Sequence, residues 1–217
     1  MGLESNGGNG GGNKTFLTIN GGKIKQASTE GTPGVEKREW EKDGKSGVKW
    51  EIPHDSLSGH IVGLNFKDGD FGTSLIVDLQ DDSGIYSLQI TTKSRYFDDI
   101  AKKLKSINLG EVVKLTPFDF ESKTDKDSKG DPKKIVGISV NQNGEKITSY
   151  YYDGKKSINK MPKVDEKEKE EMGKDYWTIY FVKVGNFLKK EIEGVNVPEP
   201  KVIEKSSDTD IDDLPFG

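Results

Sequence analysis

Three short stretches of this 217-residue chain bring chemically capable residues close together. Asp70-Phe71-Gly72 has the triplet that holds magnesium in some phosphoryl-transfer sites. No glycine-rich phosphate loop or catalytic-loop sequence accompanies it, and it falls where a tight turn is expected. Residues 125–136, DKDSKGDPKKIV, follow calcium-loop spacing for seven positions. Lys129 then stands at a ligand position and Val136 at the twelfth, where a bidentate carboxylate is needed. His54 and His60 lie six apart with no third ligand. All three stretches read as turns or solvated loops. No catalytic residue, metal or cofactor is expected, and the protein is not expected to be an enzyme.

Side chains on the exposed side of β-strands offer more. A strand that buries alternate residues leaves the other set facing outward. Opposite Val113 and Leu115 stand Lys114, Thr116, Phe118 and Phe120. Farther on, Lys146, Tyr150 and Tyr152 share one face and Tyr151 takes the other. Lys93, Arg95 and Tyr96 follow one strand, and Lys155 and Lys156 follow the tyrosines. Aromatic rings interleaved with bases suit single-stranded nucleic acid. Unpaired bases stack on the rings, at about 1–3 kcal/mol each, while cations track the phosphates. The competing reading packs these rings under a helix or in a dimer interface. Trp40 and Trp50, near Lys37, Arg38 and Lys49, form a smaller set of the same kind.

The elements that must position these residues follow from periodicity. Thr15–Ile19 and residues 22–28 form a strand pair around Asn20-Gly21, a two-residue turn signal. Residues 35–41 and 47–53 flank the turn at 42–45 as a polar hairpin. From Leu57, three antiparallel strands follow. They place Val62, Leu64 and Phe66, then Leu75, Val77 and Leu79, then Tyr86, Leu88 and Ile90 inward. The period then lengthens to three and four residues through Phe97, Ile100, Ala101, Leu104 and Ile107. This predicts a helix capped by Ser94, with Asp98, Asp99, Lys102, Lys103 and Lys105 on its outer face. Two further strands carry Val113 and Leu115, then Val136, Ile138 and Val140 inward, separated by a polar loop over 122–132. Residues 145–154 supply a hairpin partner. Three strands, a helix and two strands give a mainly β fold: an OB-fold, a five-stranded Greek-key barrel with a helix between its third and fourth strands. Extra N-terminal hairpins and a C-terminal helix accompany it. That helix is predicted from a stripe of Trp177, Phe181, Val184, Leu188 and Ile192.

The domain organisation follows: a Gly/Asn-rich leader over 1–13, the core with its hairpins over 14–153, a charged segment and amphipathic helix over 154–194, and a linker with an acidic tail over 195–217. Hydrophobic residues make up 31 % and charged residues 32 %, so one core with polar segments around it fits better than a uniformly packed globule. Without cysteine there is no disulfide scaffold. No run approaches the roughly 18 apolar residues of a membrane span. The first residues lack the basic and apolar blocks of a signal peptide, and Asn6 breaks the myristoylation motif. A cytoplasmic protein with no membrane partner is the expectation. Net charge is −4, and Asp208, Asp210, Asp212 and Asp213 account for all of it, so residues 1–205 balance to zero.

That tail, ending DIDDLPFG, follows the Pro-containing linker. It resembles the acidic tip of the single-stranded DNA-binding proteins of bacteria and their phages. Asp210, Asp212, Asp213, Leu214, Pro215 and Phe216 match that tip residue by residue, and the core resembles the family in architecture, as a divergent phage type. The resemblance implies a protein that coats and protects single-stranded DNA during replication, recombination and repair. Its tip would recruit partner enzymes, with the phenylalanine in a pocket and the acids against a basic rim. The tip can also compete with DNA for the protein's own basic groove. The family tip ends on phenylalanine, whereas Gly217 follows Phe216 here, so pocket insertion carries over and carboxylate recognition does not. A homo-oligomer is compatible with this reading. A protein-interaction or oligomerisation module and an accessory subunit of a DNA-processing enzyme remain alternatives.

Overall fold

The first hairpin turns on two glycines. A computed structural model describes residues 14–199, apart from Asp43, Phe71, Ser128 and Lys155. In it β1 (Lys14–Asn20) and β2 (Lys23–Ser28) pair antiparallel around Gly21 and Gly22. Both have positive φ, 57° and 72°, as a two-residue turn of this hand requires. The turn therefore lies one residue beyond the expected Asn20-Gly21. Gly22 also touches the far side of the sheet: a Cβ there would stand 2.7 Å from the Asp119 backbone nitrogen. β3 (Glu36–Lys42) and β4 (Lys45–His54) form the expected polar hairpin.

The three-stranded meander forms as β5 (Leu57–Gly69), β6 (Gly72–Gln80) and β7 (Ile85–Thr91). Leu75, Val77, Leu79 and Leu88 are completely buried, as their alternation requires. β5 departs from expectation because its register shifts between Ile61 and Gly63. A bulge adds one residue and reverses the side-chain parity. Ile61 rather than Val62 is fully buried before it, and Leu64 and Phe66 pack against the core after it. The helix is shorter than predicted: α1 spans Arg95–Ala101, followed by a 3-10 turn at Leu104–Ser106. The Ser94 hydroxyl caps it, accepting from the Phe97 N–H at 3.2 Å. β8 (Val112–Lys126) and β9 (Pro132–Gln142) then pair, burying Val113, Leu115, Ile138 and Val140. Residues expected as a loop over 122–132 largely extend this ribbon, which is irregular beyond Glu121 and pairs Lys126 with Pro132. Instead of a long hairpin partner, there follow only β10 (Glu145–Lys146), β11 (Tyr152–Asp153) and β12 (Lys156–Ser157).

The sheet is mixed, with ten strands in the order β10-β9-β8-β5-β6-β7-β1-β2-β4-β3. β8 returns to pair antiparallel with β5, but β7 pairs in parallel with β1 rather than closing on β9. The sheet thus does not close into the expected five-stranded barrel. One reason lies on the outer edge of β9, which α1 occupies. Asp99 Oδ2 accepts from the Ile138 N–H at 2.7 Å, Lys103 Nζ donates to the Ile138 carbonyl at 2.7 Å, and Arg95 Nη1 donates to the Lys134 carbonyl at 2.7 Å. These three residues, one helical turn apart, satisfy backbone groups that a further strand would otherwise claim. Asp99 and Lys103 therefore face the sheet, not solvent as their place in the pattern predicted, and Lys103 is buried. At the opposite edge, β3 carries the charged sequence EKREWEK, which discourages further pairing.

α2 (Glu166–Met172) and α3 (Lys174–Glu193) follow. α3 buries Tyr176, Tyr180, Val184, Leu188 and Ile192, one residue every turn. Trp177 and Phe181, predicted for this stripe, are instead 38 % and 62 % exposed. The inner stripe packs on Tyr151, itself 1 % exposed, whose ring meets Phe187 edge-on at 5.4 Å. The Tyr151 hydroxyl donates to Glu191 at 3.1 Å, and Lys105 pairs with the same carboxylate.

This junction sets a pH dependence. The Lys105 hydrogen bond holds the Glu191 carboxyl below its ordinary value of 4.5 against an opposing effect of burial, with the Tyr151 bond assisting. A carboxyl depressed by folding contributes stability present above its unfolded pKa and lost as pH falls through the folded one. Burial and the Glu191 charge raise the Tyr151 hydroxyl, so its contribution is present below its ordinary pKa of 10 and lost as pH rises above it. Thermal melts should show Glu191→Gln losing less stability than the native chain between pH 5 and pH 3. Parallel acid limbs for the two proteins would contradict this coupling.

Candidate nucleic-acid interface

The outer face of β8 is assembled by strand register. Ser58, Lys114, Asn141 and Lys146 form one row across β5, β8, β9 and β10. The next residues outward are Thr116 beside Ser139, Phe118 beside Gly137, and Phe120 beside Ile135. Lys114, Phe118, Phe120 and Lys146 therefore do share a surface. From Lys114 to Phe120 it spans about 20 Å at the usual rise per residue. The two phenylalanine rings lie 5.8 Å apart and tilted by 42°. Phe120 is 52 % exposed, while Phe118 is half-buried across Gly137. A Cβ at Gly137 would stand 2.6 Å from both Phe118 Cζ and Asp99 Oδ2, so the close approach of the ring and the carboxylate depends on this glycine. At the Phe120 end, Arg95, Asp125, Lys133, Lys134, Ile135 and Val136 line an open cavity of about 290 Å³.

Of the predicted cations, Lys114 and Lys146 lie on this surface, whereas Lys93 follows β7 and Lys156 stands on β12 in a separate two-stranded sheet. None of Lys93, Lys114, Lys146 and Lys156 takes part in an ion pair among the described residues, and all four are exposed. Many other cations are committed: Lys14 to Asp78, Lys25 to Glu36, Arg38 to Glu51, Lys134 to Asp119. The Arg38 pair is bidentate, at 2.8 Å on both arms, and holds the Glu51 carboxyl below its ordinary value. Such groups stabilise the sheet rather than attract a ligand.

The structure does not bring all the predicted residues to one surface. Tyr96 is buried, and its hydroxyl accepts from the Gly22 N–H at 2.9 Å; burial raises its pKa. It ties α1 to the first hairpin and presents no ring for stacking. Tyr150 and Tyr152 do not continue a strand from Lys146. The Tyr150 N–H donates to the Lys102 carbonyl at 2.8 Å, and Lys102 Nζ lies 5.2 Å over the Tyr152 ring. These tyrosines belong to the junction of α1 with α3, although Tyr150 keeps 38 % exposure. Arg95 is exposed but tied to the Lys134 carbonyl, and Lys156 stands on the short β12. Lys155 and the tip residues Asp210, Asp212, Asp213, Leu214, Pro215 and Phe216 lie outside the described residues.

Sequence reasoning missed Phe16, which is 69 % exposed on β1. Its register row through Ser87 and Asp78 to Gly63 puts it on the same outer face, beyond β5, β6 and β7. The signal was present: Leu17 and Ile19 point inward, so Phe16 must point out. Among the described residues no cluster of three potential metal ligands exists, and no helix is long and apolar enough to cross a membrane. No protein-family model matches this sequence, and comparisons with curated proteins and with solved structures give no match.

Proposed function

We propose that this chain binds single-stranded DNA, coating exposed strands during replication, recombination and repair without catalysing a reaction. Residues 57–142 would act as an OB-type core. That assignment is supported by the meander, the helix after it, and the return of β8 to β5. The observation that carries the proposal is the shared outer face of Lys114, Lys146, Phe118 and Phe120, with both lysines outside any described ion pair. Bases would stack on the two phenylalanines, with Phe16 as a further platform, while the lysines neutralise phosphates. The tip at 210–216 would recruit partner enzymes in the cytoplasm and compete with DNA for this face.

Titrating full-length protein and a 1–205 truncation with an oligo-dT strand tests both parts. Binding should be tight at low salt and fall steadily as salt rises. The truncation should bind more tightly, because an acidic competitor has been removed. If neither protein binds at low salt, the reading as an interaction module or accessory subunit takes over.

A further inference from the structure

We infer that the face bearing Lys114 and Lys146 takes single-stranded RNA as well as DNA, and holds RNA more tightly because Asn141 bonds a ribose 2′-hydroxyl. This rests on the reading of that face as the strand-binding surface. The row Ser58, Lys114, Asn141 and Lys146 places one residue on each of four neighbouring strands, so Asn141 stands directly between the two lysines. Neighbouring strands lie about 4.8 Å apart, which puts the two lysine backbones about 10 Å from each other. Their flexible stems let both ammonium groups close on consecutive phosphates of one strand. Neither lysine takes part in an ion pair among the described residues, and no acidic residue occupies this row or the adjacent Thr116–Ser139 pair. Between consecutive phosphates lies a sugar, and the side chain beneath it is Asn141.

Packing does not explain why this position is asparagine. The residue is paired on both sides within the sheet, where asparagine is a poor strand former. Its amide nitrogen reaches only the Ser139 hydroxyl, at 3.4 Å, and its Oδ1 has no partner among the described residues. The side chain is half-buried, so an acceptor partly withdrawn from water stands open on the outer face. The sugar of DNA carries no hydrogen-bond donor inside the strand. Ribose carries one, the 2′-hydroxyl, which both donates and accepts. It can donate to Asn141 Oδ1 and accept from the amide hydrogen that Ser139 leaves unused. Bases carry N–H donors too, but stacking on Phe118 and Phe120 draws them along β8, away from this row. A free amide oxygen between two phosphate-binding lysines therefore suits the one donor that RNA adds.

The test is fluorescence anisotropy of the full chain with oligo-U, oligo-dU and 2′-O-methyl oligo-U strands of equal length, with Asn141→Ala and Asn141→Val as variants. The native chain should bind oligo-U about fivefold tighter than oligo-dU, the scale of a single net hydrogen bond. The 2′-O-methyl strand keeps the acceptor and loses the donor, so it should bind no tighter than oligo-dU. Both variants should lower oligo-U affinity to that of oligo-dU and leave oligo-dU affinity unchanged. Valine suits a strand better than asparagine, so that variant should melt no lower than the native chain. If the native chain binds oligo-dU as tightly as oligo-U, this inference alone is overturned. An RNA preference that both variants retain, or a loss that falls equally on both strands, also overturns it. If neither strand binds, the reading of the face as a DNA site falls as well.

Discussion

Replacing Asp99 with alanine is expected to destabilise the fold by about 3 kcal/mol, whereas replacing the adjacent Asp98 should cost at most about 0.5 kcal/mol. In sequence the two look alike: each is followed four residues later by a lysine on one short helix, and each forms that pair. Their surroundings separate them. Asp98 meets Lys102 at the surface, with half of its own side chain in water. Asp99 accepts from both Lys103 and the Ile138 N–H, and Lys103 also donates to the Ile138 carbonyl. Removing the Asp99 carboxylate leaves an ammonium group buried without its counter-charge and an edge N–H without an acceptor, and both losses are costly. Asp99→Asn keeps an acceptor for Ile138 but not the charge, so it should fall between the two. Urea unfolding would read this as a lower midpoint at unchanged slope. Equal midpoints for the Asp98 and Asp99 variants would show that α1 does not seal the β9 edge.

The same residues show why some of the structure could be read from sequence and some could not. Alternation over β6, β8 and β9 is a local signal, and Leu75, Val77, Leu79, Val113, Leu115 and Ile138 are all buried as it demands. The bulge in β5 defeats that signal, because one inserted residue moves Val62 out of phase while leaving the composition unchanged. On α3 two aromatic rows lie one residue apart, Tyr176 with Tyr180 and Trp177 with Phe181, and both have helical spacing. Periodicity alone cannot choose between them. The choice is made by tertiary contacts, in which the Tyr176 and Tyr180 hydroxyls bond the backbone at Asp165 and Pro162. Sheet closure is less legible still. Nothing near β1 or β7 in sequence announces their parallel pairing across 60-odd residues. Of the candidate residues, Lys114, Phe118 and Phe120 share one face of β8, as strand alternation requires. Tyr150 and Tyr152 do not join them, because the chain leaves the sheet after Lys146 to anchor α3.

For the proposed DNA-binding function, that division predicts where affinity should reside. Phe120→Ala should weaken oligo-dT binding by about tenfold, within the range set by one lost base–aromatic stack. Phe120 is the better probe because it is half exposed, whereas Phe118 also packs over Gly137, so its removal would disturb the sheet. Lys114→Ala with Lys146→Ala should lower affinity in a different manner. Each lysine that neutralises a phosphate releases counterions, so the double variant should flatten the logarithmic salt dependence by about 1.4, or 0.7 per lost contact on a single strand. Phe120→Ala should leave that slope unchanged, since stacking releases no ions. Tyr96→Phe should bind as the native chain does, because its ring is buried and only its hydroxyl bond to Gly22 is lost. The two signatures together separate stacking from phosphate contact on one surface. If Phe120→Ala binds normally while the truncation at 205 still binds DNA, the strand lies elsewhere on the sheet, and Phe16 on β1 becomes the next residue to replace.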